Sequence, residues 1–145
     1  MPQILAQLSV RRGRAAIAFY EAAFGARETD RLIEPGGTRI GHAELDFDGT
    51  TVMLADEFPE FGVKGPEAIG GTPVTVQLQV DNADAAIDRA LKAGATLERP
   101  VQDQFYGERM GTIRDPFGHR WSIGHHIEDV SPTEMQRRWN EMAAG

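Results

Sequence analysis

The sequence predicts an α+β fold in which two βαβββ modules share one core. Three observations lead to this class. Apolar residues alternate or recur with the periods of strands and helices, the chain repeats itself after about seventy residues, and a stretch rich in glycine and proline separates the two halves. The chain of 145 residues has room for one domain, and half of it, about seventy residues, buries too little surface to be stable alone. We therefore expect a single domain over 1–145.

The first module is expected over residues 1–56. Ile4, Ala6, Leu8 and Val10 alternate with Leu5, Gln7 and Ser9, which predicts a strand with one face on a core. A helix follows, because apolar residues recur there at three- and four-residue spacing, and Gly25 is placed to end it. Three more strands are predicted over residues 27–33, 38–47 and 51–56, separated by turns that contain glycine.

The second module is expected over residues 73–126, after a linker over residues 57–72. Its first strand is predicted over residues 74–80, and a helix capped by Asp81 or Asn82 ends at Gly94. Further strands are predicted at residues 96–99, 110–114 and 119–125. The linker glycines and prolines disfavour any regular element, and its Phe58 and Phe61 either pack the loop down or cover a ligand or a partner subunit.

A final helix is predicted over residues 131–143. Ser131 is a typical N-cap, Pro132 fits the first helical position, and Glu134 is placed for a capping box. Its apolar face consists of Met135, Trp139 and Met142. This face either packs on the body of the same subunit or docks on a second subunit.

The two modules are related by an internal repeat. Residues 7–10 read Gln-Leu-Ser-Val and residues 77–80 read Gln-Leu-Gln-Val, at an offset of seventy. Farther along, Asp46 corresponds to Asp115 at an offset of sixty-nine, so one residue has been deleted. The repeat predicts that the halves have the same topology.

Composition excludes several classes of function. The net charge of −7 disfavours nucleic acid and anionic membrane surfaces as partners, and it favours a cationic ligand over an anionic one. The absence of cysteine excludes disulfides, thiolate metal sites and cysteine nucleophiles. No apolar run approaches the length of a membrane span and no secretory signal is recognisable, so we expect a cytoplasmic protein.

Polar residues line one face of each predicted sheet. If helices cover one face, the other carries Gln7 and Ser9 in the first module and Thr75, Gln77 and Gln79 in the second. A curved sheet with a partly polar inner wall is typical of a small-molecule site. The alternative is an ordinary solvated sheet face.

Several segments together resemble the glyoxalase/bleomycin-resistance family, also called the vicinal oxygen chelate superfamily, and the last of them is most similar to its PhnB-like branch. They are Ala16-Ile17-Ala18-Phe19-Tyr20 with Phe24-Gly25, His42-Ala43-Glu44-Leu45, Met53-Leu54-Ala55-Asp56-Glu57, Gln77-Leu78-Gln79-Val80-Asp81, and Tyr106-Gly107-Glu108-Arg109 leading to Asp115-Pro116-Phe117-Gly118-His119-Arg120-Trp121. The resemblance covers nearly the whole chain. It implies a cupped eight-stranded mixed sheet with helices on its outer face, and a homodimer.

The resemblance also locates the metal-ligand positions of the family, which lie on the first and last strands of each module. They fall on Leu5, Thr75, Met53 and Ser122. A leucine and a methionine cannot hold a hard divalent cation, and two hydroxyls are too few and too weak. We therefore expect no metal and no other cofactor.

Two further groups complete the candidate site. His42 and Glu44 are two residues apart on a strand and point to the open face, as a hydrogen-bonded pair, an acid-base couple or the seed of a substitute metal site. Arg109 either clamps an anionic group or pairs with Glu108 or Asp103. The predicted binding residues are Gln7, His42, Glu44, Thr75, Gln77, Arg109 and Ser122, and the catalytic residues are unknown.

The leading hypothesis is a metal-free homodimer that binds a small organic molecule in its concave sheet, in one version to sequester a drug or toxin. The rival is a lyase, isomerase or dioxygenase-like enzyme with an unusual or absent metal site. A regulatory or assembly module is a third hypothesis, supported only by the aromatic linker and the final helix.

Overall fold

The computed structural model describes every residue of the chain and confirms the α+β class. The strands are β1 (Ala6–Val10), β2 (Arg27–Ile33), β3 (Ile40–Phe47), β4 (Thr50–Asp56), β5 (Thr75–Gln79), β6 (Thr96–Asp103), β7 (Glu108–Arg114) and β8 (Arg120–His126). The α-helices are α1 (Gly13–Phe24), α2 (Pro66–Ile69), α3 (Ala83–Ala93) and α4 (Pro132–Ala144). None of the helices is long and apolar enough to cross a membrane.

The two modules have the same strand order, and their paired first and last strands have the same register. The sheets run β1-β4-β3-β2 and β5-β8-β7-β6, and in each the first strand pairs in parallel with the last. Gln7 lies opposite Met53, and Gln77 lies opposite Ser122. These pairs differ by the offsets of seventy and sixty-nine that the sequence showed, so the repeat is confirmed for the first and last strands. On the third strand the offset is sixty-eight, because Glu44 pairs with Met53 whereas Thr112 pairs with Ser122. The predicted correspondence of Asp46 with Asp115 is therefore wrong, and Asp46 corresponds to Arg114.

Local chemistry explains where the helices begin and end. Gly25 adopts the left-handed conformation, with φ of 69°. Its N–H donates to the carbonyl oxygen of Glu21, and the N–H of Ala26 donates to that of Tyr20. Asn82, and not Asp81, caps α3, because its side chain accepts a hydrogen bond from the N–H of Ala85 at 3.0 Å.

Strand β6 is longer than the pattern predicted. It continues to Asp103 although it contains Pro100, which lacks a backbone donor. The strand lies at the edge of its sheet, and its register with β7 shifts between Arg99 and Gln102. A proline is tolerated at such an irregular edge position, which is why the alternation ended there without ending the strand.

The linker contains short elements where none was expected. A 3-10 turn spans Pro59–Phe61, and the single turn of α2 follows it. Both begin with proline and end at a left-handed glycine, which confines each to about one turn.

One apolar core joins the two modules. Its 19 buried residues come from α1, α3 and the helix-facing sides of both sheets, together with Ala26 and Phe117 in the connecting segments. The indole of Trp121 in β8 lies 4.8 Å from the ring of Phe24 in α1 and 5.8 Å from that of Phe47 in β3, measured between ring centroids. Since both sheets turn their apolar sides toward this core, their other sides face away from each other. The eight strands form two separate four-stranded sheets.

A buried carboxylate also ties the modules together. Asp115 is 3% exposed and follows β7 in the second module. One carboxylate oxygen accepts hydrogen bonds from the Tyr20 hydroxyl of α1 and from Trp121 Nε1, and the other accepts from the N–H groups of Phe117 and His119. Burial, reinforced by the charge of Asp115, raises the pKa of Tyr20 well above its ordinary value. The phenol therefore stays a donor at physiological pH.

Helix α4 contributes nothing to this core. No residue of it is buried, and Trp139 and Met142 are more than half exposed. Arg138 fastens the helix to the body by donating to the carbonyl oxygen of Phe105 at 2.9 Å and to Glu128 at 2.8 Å. The Ser131 hydroxyl caps the helix by accepting from the N–H of Glu134 at 3.1 Å, as predicted. Its apolar face is therefore only partly covered in the single chain, where the ring of Trp139 lies 6.1 Å from that of Phe105 and Met142 stays exposed.

We expect α4 to loosen in acid before the core unfolds. Hydrogen bonds from Arg137 and Arg138 lower the pKa of Glu134 from 4.5 to about 2. Because the folded pKa is the lower one, this stabilisation is complete above pH 4.5 and is lost as the pH falls toward 2. Amide hydrogen exchange should show α4 losing protection across this range. In Glu134→Gln, α4 should already be less protected at pH 6. If the two proteins showed the same pH dependence, Glu134 would not be the group that stabilises α4.

Candidate functional site

Each sheet has one face that no helix covers. Residues paired across neighbouring strands point to the same side of a sheet, so the register defines these faces. On the first sheet, Gln7 pairs with Met53, Met53 with Glu44, and Glu44 with Asp30. His42, next in line on β3, pairs with Leu32, which is 61% exposed. We call this row the first open face.

The second open face is built in the same way. Gln77 pairs with Ser122, Ser122 with Thr112, and Thr112 with Arg99. In the neighbouring row, Thr75 pairs with Arg120. The second open face therefore combines hydroxyl and amide groups with guanidinium groups.

A pocket of about 320 Å³ opens on the second open face. All its lining residues are polar: Thr75, Glu98, Arg99, Thr112, Arg120 and Ser122. Thr112 and Ser122 are each 8% exposed, and their hydroxyl oxygens lie 3.2 Å apart. The volume lies at the lower end of the range for small-molecule sites. The floor of the pocket is thus a pair of hydroxyls held by the sheet itself.

The only carboxylate lining the pocket is already paired. Glu98 accepts from Arg120 Nε at 3.0 Å and from an Arg114 guanidinium nitrogen at 3.2 Å. Burial alone raises the pKa of Glu98, but the hydrogen bonds from Arg120 and Arg114 outweigh it, so the net pKa is lowered. Glu98 is therefore ionised at neutral pH and holds two guanidinium groups in place.

The first open face carries the acid-base couple predicted from the sequence. His42 Nε2 and Glu44 Oε2 are 3.8 Å apart, which is within ion-pair distance but too long for a hydrogen bond. Both side chains are about one-third exposed. Such a couple can exchange protons with a bound molecule, since both groups are reachable and neither is fixed by another partner.

The family metal positions do not form a metal site. Met53 lies on the first open face, while Thr75 and Ser122 lie on the second, together with hydroxyl and guanidinium groups. Leu5 offers no donor atom. Glu98, the one carboxylate that lines the pocket with the hydroxyls, is already paired with Arg114 and Arg120, so it does not complete a coordination sphere. No three His, Asp or Glu side chains are grouped so as to hold a metal ion. The side chains present therefore do not fit the metal that the family fold implies.

The predicted site residues fall into two groups and an outlier. Gln7, His42 and Glu44 belong to the first open face, and Thr75, Gln77 and Ser122 to the second. Arg109 lies on the helix side of β7, where it donates to Asp84 at 2.7 Å and to Asp103 at 2.9 Å. The structure thus realises the pairing with Asp103 and does not bring Arg109 to the other candidates.

Sequence reasoning missed four residues of the pocket. They are Glu98, Arg99, Thr112 and Arg120. Arg120 and Thr112 alternate with Trp121 and Ile113, which is the signal that places them on the open face. Arg99 had no such signal, because Pro100 and the register shift interrupt the alternation.

The remaining histidines have structural partners. His119 Nε2 lies 2.9 Å from the carbonyl oxygen of Ser9, which links the second module to β1. His125 Nδ1 accepts from the N–H of Ala83 at the start of α3. His126 pairs with Asp129 at the surface. None of the three lies in the pocket on the second open face.

Known proteins resemble this chain over nearly its full length. A family model described as Glyoxalase/Bleomycin resistance protein/Dioxygenase superfamily matches residues 3–123. The uncharacterized protein Mb0911c of Mycobacterium bovis is 42% identical over 147 aligned residues, which cover 99% of this chain and 96% of that protein. The crystal structure of TioX from Micromonospora sp. ML1 is 30% identical, with a TM-score of 0.66, and covers 88% of this chain and all of its own. A PhnB protein from Bacillus cereus, 13% identical with a TM-score of 0.66 over 86% of this chain and 99% of its own, shares the fold.

Proposed function

Because the chain belongs to the Glyoxalase/Bleomycin resistance protein/Dioxygenase superfamily, we propose that it binds a small organic molecule on its open sheet faces without a bound metal ion. The observation that carries this proposal is the polar pocket of about 320 Å³ on the second open face. It lies at the family ligand positions Thr75 and Ser122, where hydroxyls replace metal ligands. Binding of this kind serves to sequester a drug or toxin. The cytoplasmic location expected from the sequence stays a prediction.

We further propose that the binding site is completed by a second copy of the chain. Within one chain the open faces point away from each other, since both sheets turn toward the shared core. A two-fold axis can set the first open face of one copy against the second open face of its partner, and it then makes two equal cups.

Blocking the pocket should abolish binding without harming the fold. Gln77 is exposed and paired with Ser122, so in Gln77→Trp the indole should project over the pocket. Fragments that bind the natural protein, found by amide shifts in β5, β7 and β8, should bind this variant at least about tenfold more weakly. The matched control is Asp88→Trp on the exposed side of α3, which should bind normally. Equal binding by both variants would contradict the location of the site.

The rival function is an enzyme that uses His42 and Glu44 for proton transfer. The observation that favours it is their proximity, 3.8 Å, on an accessible face. A binding protein should release its ligand chemically unchanged, whereas an enzyme should convert it and lose turnover in His42→Ala. Mass spectrometry of the ligand after prolonged incubation separates the two functions.

Elemental analysis tests the metal-free part of the proposal. Protein purified without chelator should carry far less than one equivalent of zinc, nickel, manganese or iron, because Leu5 and Met53 offer no hard ligand. His42→Ala should give the same result. Stoichiometric metal that disappears in His42→Ala would show a substitute site and favour the enzyme.

A further inference from the structure

The pocket on the second open face has the opposite charge balance to the whole chain. The protein carries a net charge of −7. Around the pocket, however, Arg99, Arg114 and Arg120 surround the single carboxylate of Glu98. Charge at short range outweighs charge that solvent screens over tens of ångströms, so the pocket and not the average composition decides which ligand is attracted.

Arg99 is the guanidinium that remains free for a ligand. Arg120 and Arg114 bond to Glu98. The guanidinium of Arg99, by contrast, has no carboxylate within ion-pair distance and no hydrogen-bond partner in the chain. Arg99 pairs in register with Thr112, so it stands on the same side of the sheet as the buried hydroxyls. A guanidinium presents parallel N–H donors that match the two oxygens of a carboxylate or phosphoryl group.

The hydroxyls complete a donor-rich surface. Thr112 and Ser122 share one hydrogen bond across 3.2 Å, which leaves one of their two protons free to point into the pocket. Thr75 contributes a third hydroxyl on the neighbouring strand. Because the only carboxylate lining the pocket is occupied by two arginines, donors exceed acceptors there, and a ligand with oxygen acceptors satisfies them.

We propose that this pocket binds the oxyanion end of a small anionic molecule, a carboxylate or a phosphoryl group, with Arg99 and Arg120 supplying the positive charge and the Thr112–Ser122 pair supplying hydroxyl donors. This inference rests on the proposed function and names its ligand class. It reverses the preference for cationic ligands that the net charge of the chain suggested. Glu98 acts here as a positioning residue, since it reaches the ligand only through Arg120.

Four probes test the inference by titration calorimetry and amide shifts. Benzoate and inorganic phosphate carry the two forms of oxyanion, and benzamide and benzylamine are neutral and cationic relatives of benzoate. Benzoate, phosphate or both should bind and shift the amides of Thr112 and Ser122. The benzoate or phosphate affinity should fall at least about tenfold in Arg99→Gln, which removes a charge-assisted pair. Whichever anion binds more tightly identifies the oxyanion.

The control is Arg14→Gln, which changes the net charge equally but lies on α1, where Arg14 bonds only to the carbonyl oxygen of Thr38. If both variants lost the same anion affinity, the loss would come from the change in net charge and not from a contact with Arg99, which would overturn the inference. Tighter binding of benzamide or benzylamine at the same amides would overturn the ligand class while leaving small-molecule binding intact. Failure of all four probes, together with failure of the fragments above, would remove the proposed function as well.

Discussion

Replacing Asp115 by asparagine should destabilise the protein by about 3 kcal/mol, although the two side chains have nearly the same shape. Each carboxylate oxygen of Asp115 accepts two hydrogen bonds in a buried site. In Asp115→Asn, one oxygen becomes an NH₂ group, whose protons then face two donors. The donors that lose their acceptor cannot reach water. The variant therefore loses stability equal to the free energy of burying these donors without a hydrogen-bond partner.

Urea unfolding at one fixed protein concentration measures this effect. The free energies of unfolding of the natural protein and the variant are compared with the same slope against urea concentration for both. The matched variant is Tyr20→Phe, which removes only one donor and leaves Trp121 Nε1 on the same oxygen. It should cost about 1 kcal/mol. A loss in Asp115→Asn no larger than in Tyr20→Phe would show that the carboxylate does not hold the modules together.

Much of this fold could be predicted because the repeat and the capping chemistry are local. The offsets of seventy and sixty-nine match the register of the parallel first and last strands in both modules, and Gly25 and Asn82 mark helix ends by their own conformation and side chain. The role of Asp115 was harder to foresee. It occupies a turn position where aspartate is common, and nothing near it in sequence indicates that Tyr20 reaches it from the other module.

The candidate site was only partly predictable for a similar reason. Alternation along a strand assigns Gln7, Gln77 and Ser122 to open faces, because side-chain direction is set by neighbours in sequence. Alternation alone does not show which face of a bent sheet the helices cover. Arg109 was expected either to clamp an anionic group or to pair with Glu108 or Asp103. It lies on the helix side of β7, in the same alternation as the buried Ile113, and bonds to Asp103 and to Asp84. Arg99 was overlooked because the bulge around Pro100 breaks the alternation.

The second large effect is expected at the edges of the two sheets. β1 and β5 are edge strands, and each is preceded by an exposed apolar residue at equivalent positions of the repeat, Ile4 (98% exposed) and Val74 (61% exposed). Unpaired edges flanked by apolar side chains invite pairing with another chain. If two copies form the cups proposed above, these edges are the places where the sheets of the two copies approach each other.

The double substitution Ile4→Asp with Val74→Asp should therefore convert a dimer into a monomer. Light scattering should give twice 15.9 kDa for the natural protein and 15.9 kDa for the variant, with an unchanged far-ultraviolet spectrum because neither residue is in the core. The control is Leu97→Asp, on the opposite edge of the second sheet and 44% exposed, which should remain dimeric. Because each cup would draw one face from each copy, the monomer should also lose ligand affinity, even though every residue of the pocket is intact. A natural protein that is monomeric at all concentrations, or a monomeric variant that binds as tightly as the dimer, would place the complete site within one chain.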